Sequence, residues 1–166
     1  MMALRTLARA RGGTAAVEMA LVTPIMLALM FGAFELGNYF YNNHIAVKAV
    51  RDGARYASRR GFADYTCPST VSSSAITATR NVTLTGKAAA GTPRLPYWND
   101  PATVTVSLTC ADNSSHTYSG VYYGKASVPV VHVSAAFPYR SLLSSLGFDT
   151  DGLVVRAQSE VPVMGA

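Results

Sequence analysis

The distribution of apolar and polar positions divides the chain into an apolar first stretch and a longer region of mixed pattern. Between Thr14 and Phe34 the sequence carries one charge, Glu18. As an α-helix this stretch would extend over about 31 Å, enough to cross the hydrocarbon core of a bilayer. The pattern predicts a transmembrane helix at residues 14–35. Pro24 removes one backbone hydrogen bond from this helix and predicts a kink there.

Basic residues before this stretch predict its orientation. The leader, residues 1–13, has no acidic residue and contains Arg5, Arg9 and Arg11. Positive residues favour the cytoplasmic side, so we expect a cytoplasmic N-terminus and an exported remainder. A cleaved secretory signal is the competing interpretation, since such signals also begin with basic residues. The long apolar run, with no Ala-x-Ala cleavage pattern directly after Leu36, favours the transmembrane helix.

Residues 36–61 have the spacing of an amphipathic helix. Its polar side consists of Lys48, Arg51, Asp52, Arg55 and Arg59, and its small-residue side of Ala46, Val50, Gly53 and Ala57. We expect the small side to pack on a domain, with Gly53 allowing close approach of another backbone and Gly61 forming a left-handed cap. Asp52 is expected to pair with Lys48 or Tyr56. The basic side is interpreted as a solvated face, or as a contact for anionic lipid or an acidic subunit.

Residues 62–166 predict an exported α+β domain. Ser69 or Ser72 is expected to cap a short helix that continues to about Leu84. A loop follows at 86–102, with Tyr97 and Trp98 packed against a sheet. Strand patterns then occur at 103–110, 119–124, 128–137 and 153–161. The fold class is therefore α+β, with the long N-terminal helix packed on a small antiparallel sheet.

The two cysteines, Cys67 and Cys110, follow the apolar stretch and belong to no metal-binding motif. Export to an oxidising compartment predicts a disulfide between them, and two free buried thiols are the alternative.

Composition and motifs argue against enzymes and nucleic-acid binding. Charged residues make up 14% of the chain, against roughly 25% in an average soluble protein, which favours a membrane or an assembly. His44, His116 and His132 lack ligand spacing, and no nucleophile elbow or phosphate loop occurs. Asp149 and Asp151 fit a turn better than a calcium site. We therefore predict no catalytic residue, metal, cofactor or nucleic acid.

Glu18 needs a reason for its place in an apolar helix, because a carboxylate in hydrocarbon costs on the order of 3 kcal/mol. Cleavage after Gly13 would leave a free amine on Thr14, and Glu18 would be the fifth residue of the new chain. Glu18 could then pair with the amine of a neighbouring subunit. Alternatively, it extends to the nearby headgroups.

Several motifs follow one another between about residues 9 and 60. A basic residue and glycines precede small residues, Glu18 precedes an apolar run with an early proline, and Glu-Leu-Gly at 35–37 and Arg-Asp-Gly-Ala-Arg at 51–55 follow. In this order they resemble the TadE-like family, minor pseudopilins of tight-adherence type IV pilus systems. Thr14 departs from many type IV pilins, which have a large apolar residue at this position. Met19 departs from the major tight-adherence pilins, which have Tyr there.

The resemblance implies a pilin-like fold, processing between Gly13 and Thr14 by a prepilin peptidase, and a role for Glu18 in recognition and assembly. The implied partners are the inner membrane, that peptidase, other pilin-like subunits, and an assembly platform with its ATPase. We expect a minor pseudopilin or pilus-assembly subunit in the bacterial inner membrane, with a periplasmic C-terminal domain, and possible presence on the pilus or cell surface. The other function considered is a membrane-tethered periplasmic accessory or binding protein that does not enter a fibre.

Overall fold

The computed structural model describes residues 12–144 and 152–165. The predictions on Arg5, Arg9, Arg11, Asp149 and Asp151 lie outside these ranges. The helices are α1 (Gly12–Ser58) and α2 (Ser73–Thr85), and the strands are β1 (Tyr65–Thr66), β2 (Thr70–Val71), β3 (Val104–Asp112), β4 (Ser127–Pro138) and β5 (Val154–Pro162). Short 3-10 turns lie at Phe62–Asp64, Pro101–Thr103 and Gly120–Tyr122.

The helix α1 is one uninterrupted element through both predicted helical segments, and it ends at Ser58. The prediction that Gly61 caps it in the left-handed conformation is wrong, because Gly61 is extended, with φ −60° and ψ 147°. Other groups bind the carbonyls at the helix end. The Tyr65 hydroxyl donates to the Ala57 carbonyl at 2.6 Å, and the Met164 amide donates to the Ser58 carbonyl at 2.7 Å. The helix end is therefore held by tertiary contacts.

The short helix α2 has the ends that its sequence predicts. The Ser72 hydroxyl accepts from the Ala75 amide at 3.2 Å, which satisfies one free donor of the first turn. Gly86 ends the helix with φ 79°, a left-handed conformation that glycine adopts at little cost. The predicted helix from Ser72 to about Leu84 is confirmed.

The sheet has three antiparallel strands in the order β3-β4-β5. One face is buried, with rows such as Val104, Ala135 and Ala157 in register. Both helices lie on this face, with α1 packed on β4 and β5 and α2 packed on α1 and β3. The α+β fold class is confirmed. The strand predicted at 119–124 is wrong: Gly120 and Gly124 have positive φ there and the chain forms a 3-10 turn.

Long loops around the sheet are fixed by aromatic packing and a covalent link. Trp98 is 1% exposed, and its ring is stacked on Phe137 with 4.2 Å between centroids. This confirms the predicted packing of Trp98 on the sheet. A disulfide joins Cys67 to Cys110 across 43 positions of sequence. It attaches the hairpin of β1 and β2 to strand β3.

Candidate assembly site on the N-terminal helix

The first half of α1 is an apolar surface without a partner in the described residues. Each residue from Ala15 to Met30 is exposed, including Leu29 at 70%. Mean hydropathy reaches 1.9 in its most apolar window, and none of that window is buried. By its length and composition this helix can cross a membrane, and it is the one such helix among the described residues. Exposed apolar area of this size needs lipid or other helices around it.

Gly13, Thr14 and Glu18 lie at the start of this surface. Gly13 is exposed within the first turn, and a Cβ built on it would meet nothing within 4 Å. Glu18 is also exposed and begins the next turn of α1. The geometry places the predicted cleavage bond and the carboxylate about one and a quarter turns apart, at 3.6 residues per turn.

Pro24 lies inside α1, and the helix continues on both sides of it. One residue earlier, the Thr23 hydroxyl donates to the Met19 carbonyl at 2.6 Å. Bonds of this kind from Thr to a carbonyl one turn back are associated with helix bending. The kink at Pro24 stays a prediction.

The second half of α1 buries its small-residue side, as predicted. Ala46, Val50 and Ala57 have no exposed surface. At Gly53, a Cβ would overlap the Thr83 hydroxyl and would lie 3.5 Å from the Thr79 carbonyl oxygen on α2. The predicted close approach at Gly53 is therefore present, and α2 is the element that makes it.

The polar side of α1 keeps four cations exposed, namely Lys48, Arg51, Arg55 and Arg59. The predicted pairing of Asp52 on its own helix is wrong. Asp52 binds Arg94 of the loop after α2, with 2.8 Å between Oδ2 and the guanidinium. The loop brings Arg94 to α1 because its amide is bonded to the Leu84 carbonyl at 2.8 Å.

A polar cluster joins the two halves of α1 to the end of β4, and sequence reasoning missed it. The Tyr139 hydroxyl donates to Glu35 Oε1 at 2.6 Å. Asn38 Nδ2 donates to the Tyr139 oxygen at 2.8 Å, and the Leu142 amide donates to Glu35 Oε2 at 3.2 Å. Burial, and secondarily the hydrogen bond to Glu35, raise the pKa of Tyr139 to about 12. We call these residues, Glu35, Asn38, Tyr139 and Leu142, the junction cluster.

A signal for the junction cluster was present in the sequence. Glu35 ends the apolar run, and Asn38 and Asn42 follow at helical spacing on the same side of α1. A carboxylate and two amides facing the domain require polar partners. An apolar groove of about 450 Å³ lies next to the cluster. Its lining includes Ala28, Phe31, Gly32, Leu36, Tyr39, Leu143 and Leu153.

The polar residues outside α1 form no metal centre in the described ranges, where no group of three His, Cys, Asp or Glu side chains is suitably placed. His132 lies on the solvent face of the central strand. Its Nε2 is 2.6 Å from the Thr109 hydroxyl, and its Nδ1 is 3.2 Å from Glu160. A hydroxyl, an imidazole and a carboxylate in line can activate a nucleophile. Here they lie on an open sheet face without the water-excluded setting on which such chemistry depends.

An apolar helix that projects from a small α+β domain defines a membrane-anchored protein of pilin-like arrangement. The family model described as TadE-like protein matches residues 13–55, about a quarter of the chain, and confirms the resemblance over that segment. The match includes Gly13, Glu18 and the junction residues of α1. No curated protein and no solved structure shows significant similarity to the chain. The helix and the family match fit a membrane-anchored subunit associated with a tight-adherence pilus.

Proposed function

We propose that the chain is a minor pseudopilin or pilus-assembly subunit of a tight-adherence pilus. The observation that carries this proposal is the apolar half of α1, exposed on all sides and joined without a break to a folded domain. Lipid covers the apolar surface of such a helix before assembly, and matching helices of other subunits cover it in a fibre. The family match over the same residues supports this use.

Processing is the first step of the proposed function. A prepilin peptidase cuts between Gly13 and Thr14, in the first turn of α1, where Gly13 is exposed. The product begins with a free amine on Thr14. Glu18 of one subunit then pairs with the amine of its neighbour, so that each neutralises a charge that is costly in a low-dielectric bundle. The exported domain is periplasmic, the N-terminus is cytoplasmic, and the platform with its ATPase drives entry into the fibre.

The first test measures the mature N-terminus of protein extracted from membranes of the producing bacterium. We expect Thr14 as the first residue, and a chain that begins at Met1 or Met2 would refute processing. In a strain without the peptidase, the chain should keep the larger mass of the unprocessed protein.

The second test measures assembly by fractionating sheared filaments and inner membranes. Glu18→Gln should lower the amount in filaments by about tenfold or more, corresponding to roughly 1.4 kcal/mol of lost pairing. Glu160→Gln, which changes an exposed carboxylate on the sheet, is the matched control and should assemble normally. If wild-type protein is found only in the inner membrane, the chain is a tethered accessory protein.

A further inference from the structure

The loop between β3 and β4, residues 113–126, is built like a recognition loop. It contains three tyrosines, three serines and two glycines, one lysine, and no acidic residue. Three large side chains point outward: Tyr118, Val121 and Tyr123, the last 82% exposed. Tyrosines among small polar residues are the usual composition of protein-binding loops, since a tyrosine ring offers much contact area at little entropic cost.

Asn113 holds this loop in one shape from inside. Asn113 has no exposed surface. Its side-chain amide donates to the carbonyls of Tyr118, Tyr122 and Lys125 at 3.0, 3.3 and 3.0 Å. Its Oδ1 accepts from the Tyr118 amide at 2.8 Å. Because one buried side chain binds the backbone at several points, the loop is ordered before any partner arrives, which lowers the entropic cost of binding.

The base of the loop is also fixed to the end of α1. The Tyr122 ring meets Phe62 edge to face, with 6.2 Å between centroids. The Lys125 ammonium lies 4.0 Å above the Phe62 ring. Tyr122 and Lys125 therefore serve as supports, and the outward residues Tyr118, Val121 and Tyr123 remain available.

The loop lies at the end of the domain opposite the membrane anchor. The far end of β4, at Tyr139, contacts Glu35 at the base of the domain. A strand with the 12 residues of β4 extends over about 40 Å at 3.3 Å per residue. The helix from Glu35 to its end at Ser58 rises by a similar distance, roughly 35 Å. Lipid headgroups at the anchor are thus out of reach of the loop.

We propose that Tyr118, Val121 and Tyr123 form a preformed docking surface for the globular domain of a neighbouring pilin-like subunit. This inference rests on the proposed function and names the contact it uses away from the membrane. The chemistry favours a protein over a sugar. Interface centres are rich in tyrosine and poor in charge. In this loop the Asn113 amide is already used, and the carboxylate of the adjacent Asp112 accepts from the Ser114 hydroxyl at 2.8 Å.

The test uses the full chain in detergent micelles and, as probes, the purified pilin-like subunits of the same bacterium, each tested alone, together with a second copy of this chain. The variant Val121→Ala with Tyr123→Ala should weaken binding to one pilin-like subunit by about thirtyfold or more, as expected for central tyrosine contacts. Tyr123→Phe keeps the ring and should retain most of the binding. Thr105→Ala, on the exposed face of the sheet, is the distant control.

A second variant separates the effect of the loop conformation from the effect of its outward side chains. Asn113→Ala leaves the three outward side chains in place and removes the bonds that hold the loop, so binding should weaken although the contact residues are intact. Fluorescence emission of Trp98 and resistance of the disulfide to reduction verify that each variant is folded.

The outcomes distinguish this inference from the proposed function. If wild-type protein enters filaments and the loop variants bind and assemble like wild type, the docking surface is wrong and the proposed function stands. Binding of the loop to glycans with no effect on subunit binding also overturns the docking surface. If wild-type protein binds none of the subunits and is absent from filaments, both proposals fail.

Discussion

The two halves of α1 are one continuous helix in two different environments. From Ala15 to Met30 all sides of the helix are exposed, whereas from Asn42 to Ser58 one side is buried against α2 and the sheet. The change begins at the junction cluster, where Glu35 and Asn38 bind Tyr139. Packing decides where the domain begins, because no break in the backbone marks the boundary.

The comparison teaches that residues of the same type have opposite consequences in the two halves. Gly37 has free space where a Cβ would be, while Gly53 is covered by Thr83. Apolar side chains of the first half are available to lipid or other helices, and those of the second half form the core. Substitutions in the second half should change the free energy of unfolding of the domain, and equivalent ones in the first half should leave it unchanged.

The largest effect is expected from removing the disulfide. Replacing Cys67 and Cys110 with Ser should lower the free energy of unfolding by about 4 kcal/mol, because a loop of 43 residues is no longer closed in the unfolded chain. Denaturant titration followed by emission of Trp98, the one tryptophan of the sequence, measures it. Membrane partitioning, which depends on the first half of α1, should not change. A loss below about 1 kcal/mol would contradict the expectation.

Next in size is the contrast between two glycines of α1. Gly53→Ala should destabilise the domain by about 1–3 kcal/mol, since its Cβ would force Thr83 away. Gly37→Ala is the matched control and should be neutral or stabilising by up to about 1 kcal/mol, because alanine is the better helix former. The same titration compares them. Equal effects of the two substitutions would break the distinction between the halves.

A smaller effect is expected at the junction cluster. Tyr139→Phe removes the hydroxyl that donates to Glu35 and accepts from Asn38, and should cost about 1–2 kcal/mol. Tyr41→Phe, at an exposed position of α1, should have no measurable effect. Hydrogen exchange of the Leu142 amide, which binds Glu35, should speed up in the first variant only. Unchanged exchange would show that Glu35 is held in another way.

The last effect is absent at neutral pH and concerns stability at high pH. Burial raises the pKa of both Tyr65 and Tyr139 from 10 to about 12. Between these values the unfolded chain has released protons that the folded chain retains, so stability falls as pH rises from about 10 to 12 and is unaffected by these groups below that range. Denaturant titrations across the range should show this decline, and Tyr139→Phe should make it shallower. A decline of equal slope in the variant would exclude Tyr139 as a source.

The sequence predicted elements whose signals are local. The apolar run, the Ser72 cap and the strand alternation of β3, β4 and β5 lie within short windows, and the structure has these elements. Ala46, Val50 and Ala57 could be placed on the buried side because helical spacing alone groups them. The disulfide was predictable because a chain with two cysteines has one pairing to form.

Features that depend on distant residues were missed or wrong. Tyr139 and Glu35 are 104 positions apart, and no pattern in either segment predicts their contact. Helical spacing predicts a partner for Asp52 on its own helix, but a loop brings Arg94 near and Asp52 binds it instead. Gly61 was expected to cap α1, but Tyr65 and Met164 bind the helix end. The alternation at 119–124 predicts a strand, but Asn113 holds this segment in a loop by binding carbonyls up to 12 positions away.

Strand β5 follows all the other described helices and strands in the chain, yet it packs directly on α1, which is the first. During synthesis, α1 therefore emerges long before the strand that covers it. The part of the alanine side that β5 covers remains open until this last described strand has been made. A chaperone that shields this surface would increase the yield, and a chain that stops before Val154 would leave the surface under β5 permanently open.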